Sequence, residues 1–310
     1  MSEELECIAH AAWDGYANER KSPRTEKAGH GYADPDYDLA TDWIAAHDAI
    51  RQAQAEHEDP SQPPCILIVN GSSRSEHTCP GEMSKSWRLL EIASEICGVE
   101  GVKVKTLNLS RLAAEYGKHI HPCKACFSTA AALCHWPCFC YPNHSLGQTQ
   151  DMMNEIYPLW VRAHGIMLIT PVNWYATSSP MKLMIDRLVC ADGGNPDPTS
   201  TQGKDARKAK QLKLDGWPYP RHLEGRLFSI VVHGDVEGAE NVRRSSPTGC
   251  ASCISFRPAS PSSSTVISVI GSPIRPITRR STRTRSSRTR SATPHALCSK
   301  RCRPGAPDGW

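Results

Sequence analysis

Between residues 65 and 232, short uninterrupted apolar runs alternate with longer stretches whose apolar side chains recur every three or four positions. The runs Cys65–Asn70 and Gly165–Thr170 have the texture of strands buried on both faces of a parallel sheet, and Val102–Leu107 and Arg226–Val232 read as two further strands. Lys118–Cys126 is expected to hold one more. The helical-period stretches are Leu39–Glu58 (Trp43, Ile44, His47, Ile50), Ser84–Cys97 (Trp87, Leu90, Ile92, Ile96), Thr149–Ala163 (Met152, Met153, Ile156, Leu159, Trp160) and Ser179–Val189 (Met181, Met184, Ile185, Leu188). Thr41 or Asp38 is expected to cap the first of these, and Pro60, Pro63 and Pro64 close it. Strands alternating with helices predict an α/β fold, a doubly wound five-stranded parallel sheet with right-handed crossovers.

The same pattern divides the chain. Residues 1–64 read as a polar N-terminal extension carrying one helix, residues 65–244 as the α/β domain, and residues 245–310 as a tail without periodicity. The tail holds 15 serines and 10 arginines, and only Val266–Ile270 in it is apolar enough to suggest a strand. Its composition is that of a disordered segment.

Charge sharpens this division. The formal net charge of +4 combines 25 basic and 31 acidic residues before position 245 with 11 basic and one acidic residue after it. Any attraction to nucleic acid therefore belongs to the tail alone. Two readings of that tail stand: a polyanion-binding segment, or translation that has left its proper frame near Arg244. We take the second, because Ser/Arg/Pro/Thr texture is what GC-rich coding yields out of frame. It predicts a domain whose last helix breaks off at Ser245-Ser-Pro247, and hence a chain of low stability and impaired activity. No apolar run reaches the ~18 residues of a membrane span. The acidic start, Met1–Glu6, has no apolar signal region. A cytoplasmic protein with mostly reduced thiols is expected from its 14 cysteines.

In a doubly wound sheet, ligands lie beyond the carboxyl ends of the strands. Three such ends carry candidate chemistry. After the first strand comes Asn70-Gly-Ser-Ser-Arg-Ser75, continuing to Ser84-Lys-Ser86; its hydroxyls, backbone N–H groups and Arg74 suit an anion at a helix N-terminus. Neither G-x-G-x-x-G nor G-x-x-x-x-G-K-[ST] is present, so dinucleotide and triphosphate loops are not expected. A hydroxyl-rich loop with few charges favours a terminal monophosphate. The second end is Pro171-Val-Asn-Trp-Tyr-Ala-Thr-Ser-Ser179, whose adjacent aromatics offer a flat wall for a planar ring. The third, His233-Gly-Asp-Val236, offers backbone donors and a polar edge.

These loops, with Gln150-Asp-Met-Met-Asn-Glu-Ile-Tyr157, Ala163-His-Gly-Ile-Met-Leu-Ile-Thr-Pro-Val-Asn-Trp-Tyr175 and Ser179-Pro-Met-Lys-Leu-Met-Ile-Asp-Arg187, resemble the flavodoxin-like NAD(P)H-dependent FMN reductases, a group that includes multimeric flavodoxins and iron–sulfur flavoproteins. The resemblance spans roughly Cys65–Arg244. It implies strand order 2-1-3-4-5 and FMN as cofactor. The phosphate would be held by Ser72, Ser73, Arg74, Ser84 and Ser86; the ring system would lie against Pro171, Val172, Asn173, Trp174 and Tyr175, with His233 and Gly234 across from it. It also implies NAD(P)H as co-substrate, a small-molecule or protein electron acceptor, and a homo-oligomer. No catalytic side chain is expected, since the flavin carries the chemistry. An electron carrier without nicotinamide turnover is the alternative within the same fold. The loop departs from the family pattern by the insertion His77–Met83. Lys182, Asp186 and Arg187 have a structural reading, and Asp186 or Arg187 is expected to hold a helix pair or an interface.

One cluster stands apart. Cys123, Cys126, Cys134, Cys138 and Cys140 follow C-x₂-C-x₇-C-x₃-C-x-C spacing, with His135 beside the third. Such thiols suit zinc or an iron–sulfur centre, with Cys123, Cys126, Cys134 and Cys138 as the candidate ligands. The resembling iron–sulfur flavoproteins carry tighter spacing, and a chain without metal remains the principal expectation.

Overall fold

In the computed structural model, the four runs form four full strands of one parallel sheet. The structure describes residues 2–17, 24–76, 81–144, 150–234 and 237–243, and the backbone of 269–270. Most of His77–Met83, Asp235, Val236 and almost all of the tail, its proposed frame change included, lie outside the described residues. The described residues all fall within one compact unit, 1–272.

The elements run in the order α1 (Glu3–Ala17), β1 (Thr25–Lys27), β2 (Asp38–Ala40), α2 (Thr41–Glu58), β3 (Cys65–Asn70), α3 (Lys85–Val99), β4 (Lys103–Asn108), α4 (Arg111–Ala114), α5 (Cys140–His144), α6 (Met153–Arg162), β5 (Gly165–Pro171), α7 (Ser179–Arg187), α8 (Ala206–Leu214), β6 (Leu227–His233) and β7 (Val269–Ile270). β1 and β2 form a small antiparallel pair. The main sheet has the order β4-β3-β5-β6, parallel throughout, and β7 adds two residues beside the end of β6.

Side chains alternate across the sheet with period two, and both faces are apolar. Ile68 and Ile169 meet Leu90 of α3 on one face, with Ile66, Val104, Met167 and Val231 beside them. Leu67, Val69, Leu168, Ile230 and Val232 pack on the other face with Ile156 and Trp160 of α6 and Ile50 of α2. The stretch before residue 65 contributes to this face. It carries two helices, and α2 shares the main core.

The structure corrects three expectations. Lys118–Cys126 is not a strand; the four full strands are β4, β3, β5 and β6, and the two-residue β7 lies beside β6. The carbonyls of this segment are claimed one at a time: His119 O by the Met152 amide at 2.7 Å, His121 O by Arg187 Nη1 at 2.9 Å and Pro122 O by the Tyr141 hydroxyl at 2.5 Å. Pro122 also has no N–H to give a ladder. Second, neither Thr41 nor Asp38 caps α2; Ala40 stands at the cap position without a side-chain bond. Its amide is instead fixed by Asn143 Oδ1 at 2.9 Å. Third, α8 was not anticipated: with Ala209 its one buried residue, it has no apolar stripe to read.

Candidate functional site

The ends of β3, β5 and β6 are neighbours in the sheet, with Asn70 opposite Ile169 and Pro171 opposite His233. The register therefore brings all three candidate loops to one edge, as βαβ winding requires.

The first loop is built around Asn70. Its side chain accepts from the Ser72 amide at 3.1 Å and donates to Asn108 Oδ1 at 2.8 Å and Arg74 O at 3.2 Å. Ser72 Oγ in turn accepts from the Arg74 amide at 3.0 Å, and the Arg74 guanidinium donates to Glu82 O at 3.3 Å. The Ser84 amide returns to Ser75 O at 3.1 Å, closing the loop. Gly71 is demanded by close approach: a methyl there would sit 2.2 Å from Met181 Cε and 3.1 Å from Ile169 O.

α3 begins at the mouth of this loop. Ser84 occupies its cap position with no side-chain bond to the helix. The first turn carries the positive end of the helix dipole. Lys85 adds a cation in that turn.

Ser86 stands in the first turn of α3. It is fully buried, and its Oγ lies 2.6 Å from Nε2 of His233. Burial, with Lys85 nearby, pushes the His233 pKa down to about 4. The imidazole is therefore neutral at pH 7, and the positive charge of the loop comes from Arg74, Lys85 and the helix terminus. His233 thus reaches across to the first turn of α3. Gly234 lies against β5's continuation, where a methyl would come within 3.3 Å of Val172 Cβ.

The aromatic pair has an unusual backbone. Asn173 and Ala176 exchange both backbone hydrogen bonds, at 2.8 and 3.0 Å, which makes Trp174 and Tyr175 the two central residues of a tight turn. Both have positive φ, 49° and 65°, the conformation that such a turn normally gives to Asn-Gly. Each side chain thus bears local strain of the kind that collects at ligand sites. Trp174 is 93% exposed and Tyr175 61%, so neither ring fills the core. Asn241 Nδ2 holds Tyr175 O at 3.2 Å.

Sequence reading missed Ser178, although Ser-Ser-Pro before an apolar helical stripe is a readable helix start. Ser178 caps α7 and donates its hydroxyl to Gly71 O, stitching the second loop to the first. It also missed Asp151, which meets Arg187 at 2.6 Å with both side chains 1% exposed. Arg187 therefore takes its structural role, joining α7 to the start of α6, while Asp186 pairs with Lys182 on the surface.

The five clustered cysteines divide. The Cys126 and Cys140 sulfurs are 3.1 Å apart, and Lys204 Nζ reaches Cys126 Sγ at 3.4 Å and Leu133 O at 2.9 Å. Cys140 and the Lys204 ammonium hold the Cys126 pKa down, at about 6. Cys123 instead accepts from the Ala125 amide at 3.4 Å. Cys134 is buried, and burial raises its pKa. Among the described residues, no three His, Cys, Asp or Glu side chains are arranged to hold a metal ion. The structure thus brings Cys126 together with Cys140, which was not among the expected ligands, and not with Cys123.

Two cavities of about 460 Å³ each lie elsewhere, one lined by Ile50, Trp136, His222 and Arg226, the other by Asp42, Lys118 and Asp151. Neither is lined by the strand-tip loops. Among the described residues, no helix is long and apolar enough to cross a membrane.

The chain is thus an α/β protein of the doubly wound class, with a helix terminus and an exposed aromatic turn at its strand tips. The family described as NADPH-dependent FMN reductase matches residues 64–207, and this segment is similar to that family of oxidoreductases. Among curated proteins no match to the chain was found.

Proposed function

We propose that this chain is an FMN-dependent NAD(P)H oxidoreductase that binds the flavin across the tips of β3, β5 and β6. The observation that carries the reading is the convergence of the three loops at the first turn of α3. The donor set fits a flavin monophosphate. Ser72, Ser73 and Ser84 offer hydroxyls, Arg74 a guanidinium, and α3 its first N–H groups, which together match a compact dianion. Ser86 belongs to this set through His233: its hydroxyl is shared with a neutral ring and so contributes no charge. Pro171, Val172 and Asn173 form the floor of the ring end, and Trp174 and Tyr175 its solvent-facing wall. Gly234 keeps the opposite side low enough for a flat ligand.

When bound, the flavin would accept a hydride from a nicotinamide and hand electrons to a second substrate. The protein's part is to hold and orient. The helix terminus and Arg74 neutralise the phosphate, and the strained turn presents aromatic surface. A donor and an acceptor would alternate at that surface. A five-stranded sheet in the order 2-1-3-4-5 belongs to the same reading, and β7 running parallel beside β6 supports it. Assembly into a homo-oligomer is part of it too.

The test is an FMN titration of the purified full chain, followed by visible absorption during NADH and NADPH addition. Retained flavin bands that bleach with nicotinamide and recover on adding an acceptor are expected. Bands that do not bleach would leave an electron carrier, and folded protein that fails to retain FMN would end the reading. Arg74→Gln should weaken FMN at least tenfold, the ~1.4 kcal/mol or more typical of a charge-assisted contact.

A further inference from the structure

The Cys126–Cys140 pair lies outside the flavin reading and has a chemistry of its own. Cys126 opens a single 3₁₀ turn and Cys140 opens α5, with their sulfurs 3.1 Å apart. A disulfide needs about 2.05 Å, so bond formation would draw the two sulfurs together by about 1 Å. The two sulfurs differ in access. Cys126 is partly exposed, whereas Cys140 is buried. They also differ in partners: Lys204 places its ammonium on Cys126 and anchors the same group on the Leu133 carbonyl. The residue before Cys126, Ala125, sits in the left-handed region at φ 52°, a conformation costly for a residue with a Cβ and one that turns Cys126 inward to this contact. Opposite charge at the accessible sulfur and a second thiol behind it are the two parts of a thiol-exchange site.

We propose that Cys126 and Cys140 form a reversible dithiol–disulfide couple in which Cys126 attacks, Cys140 resolves and Lys204 holds the attacking sulfur. The oxidant is a low-molecular-weight disulfide, RSSR. The Cys126 thiolate attacks one sulfur of RSSR, forming a mixed disulfide and releasing RS⁻, which takes up the proton that Cys126 gave to solvent. Cys140, losing its proton, then displaces the second RS⁻ from Cys126. The S–S bond of RSSR breaks and the Cys126–Cys140 bond forms. Two electrons pass from the protein to the reagent, which leaves as two RSH. The new bond would fasten the 126–128 turn to α5 and free Lys204 from its anionic partner.

The experiment uses the full chain, reduced and then equilibrated in buffers of graded oxidised and reduced glutathione, with acid quench, alkylation and peptide mapping. The expected result is joint loss of two alkylatable thiols, mapped to one cross-linked peptide pair of 126 and 140 lighter by two hydrogens, and fully restored by reductant. In Cys140→Ser the reaction should stop at a glutathione adduct on Cys126; in Cys126→Ser neither product forms at these positions. Lys204→Met should slow adduct formation at Cys126 and leave that at the exposed Cys7 unchanged. Because the wild-type map alone decides the pairing, a variant that fails to fold does not rescue or sink the idea. Three outcomes would overturn it: 126 and 140 stay alkylatable while Cys7 is modified, the link found joins Cys138 to Cys140, or the purified chain retains zinc or iron with these thiols shielded.

Discussion

Replacing Asp151 by asparagine removes one charge from a pair that water does not reach. Asp151 Oδ2 and Arg187 Nη1 are 2.6 Å apart, each side chain 1% exposed. Asparagine keeps an acceptor for the Met153 amide, which Asp151 Oδ1 holds at 3.0 Å, so the helix start survives and the lost charge is isolated. Arg187 would keep its bond to His121 O at 2.9 Å but remain a buried cation with no anion opposite. Breaking such a pair from one side costs about 3–5 kcal/mol, a large share of the ~5–15 kcal/mol of a whole domain. With a urea slope of about 2 kcal/mol/M, the unfolding midpoint should fall by roughly 2 M. The pair Asp151→Leu with Arg187→Met should cost less than Asp151→Asn alone, since it leaves no orphan charge. A midpoint shift below about 0.5 M for Asp151→Asn, or a double variant weaker than both singles, would refute the assignment of Arg187 as a buried strut.

Three further outcomes are expected. His233 has its folded pKa lowered to about 4, against ~6.5 when unfolded, so the unfolded chain binds the extra proton between these values. Its contribution is then present above pH ~6.5 and is lost as pH falls towards 4, on the order of 3 kcal/mol in all; urea midpoints at pH 7.5 and 5 should differ less in His233→Gln than in wild type. Trp174→Asn with Tyr175→Gly gives the turn the residues its φ values favour; thermal melts should show a gain of about 0.5–1 kcal/mol, while FMN titration should show weaker binding. Gly71→Ala should cost about 1–3 kcal/mol, because its methyl meets the Ile169 carbonyl as well as Met181, a loss readable as a lower urea midpoint.

What the sequence disclosed follows the strength of local signals. β3 and β5 were legible because a strand buried on both faces is apolar at nearly every position, whereas β4 shows only the alternation of a half-exposed edge. Lys118–Cys126 was misread for want of a local clue: its carbonyls are satisfied by Met152, Tyr141 and Arg187, from elsewhere in the chain. α8 announces itself only through Asp205, whose carboxylate accepts from the Arg207 and Lys208 amides, and a cap without a stripe is faint. At the site, loop positions were readable from strand ends, but orientations were not. That His233 turns to Ser86 depends on β6 and α3 meeting across 147 positions. The positive φ of Trp174 and Tyr175 contradicts their propensity, and such contradictions are expected where binding outranks local comfort. Cysteine spacing likewise announced a cluster, and only folding selected Cys140 over Cys123 as the neighbour of Cys126.

The hydroxyl–imidazole bridge between Ser86 and His233 makes the two halves of the mouth a single mechanical part. On the proposed flavin reading, remodelling the anion end to admit a bulkier headgroup would also slacken the end of β6. Reshaping the ring end for a different aromatic would loosen the helix start. An engineer seeking altered cofactor preference in this scaffold should therefore vary positions 86 and 233 jointly, since libraries that randomise either alone would sample mostly broken hinges.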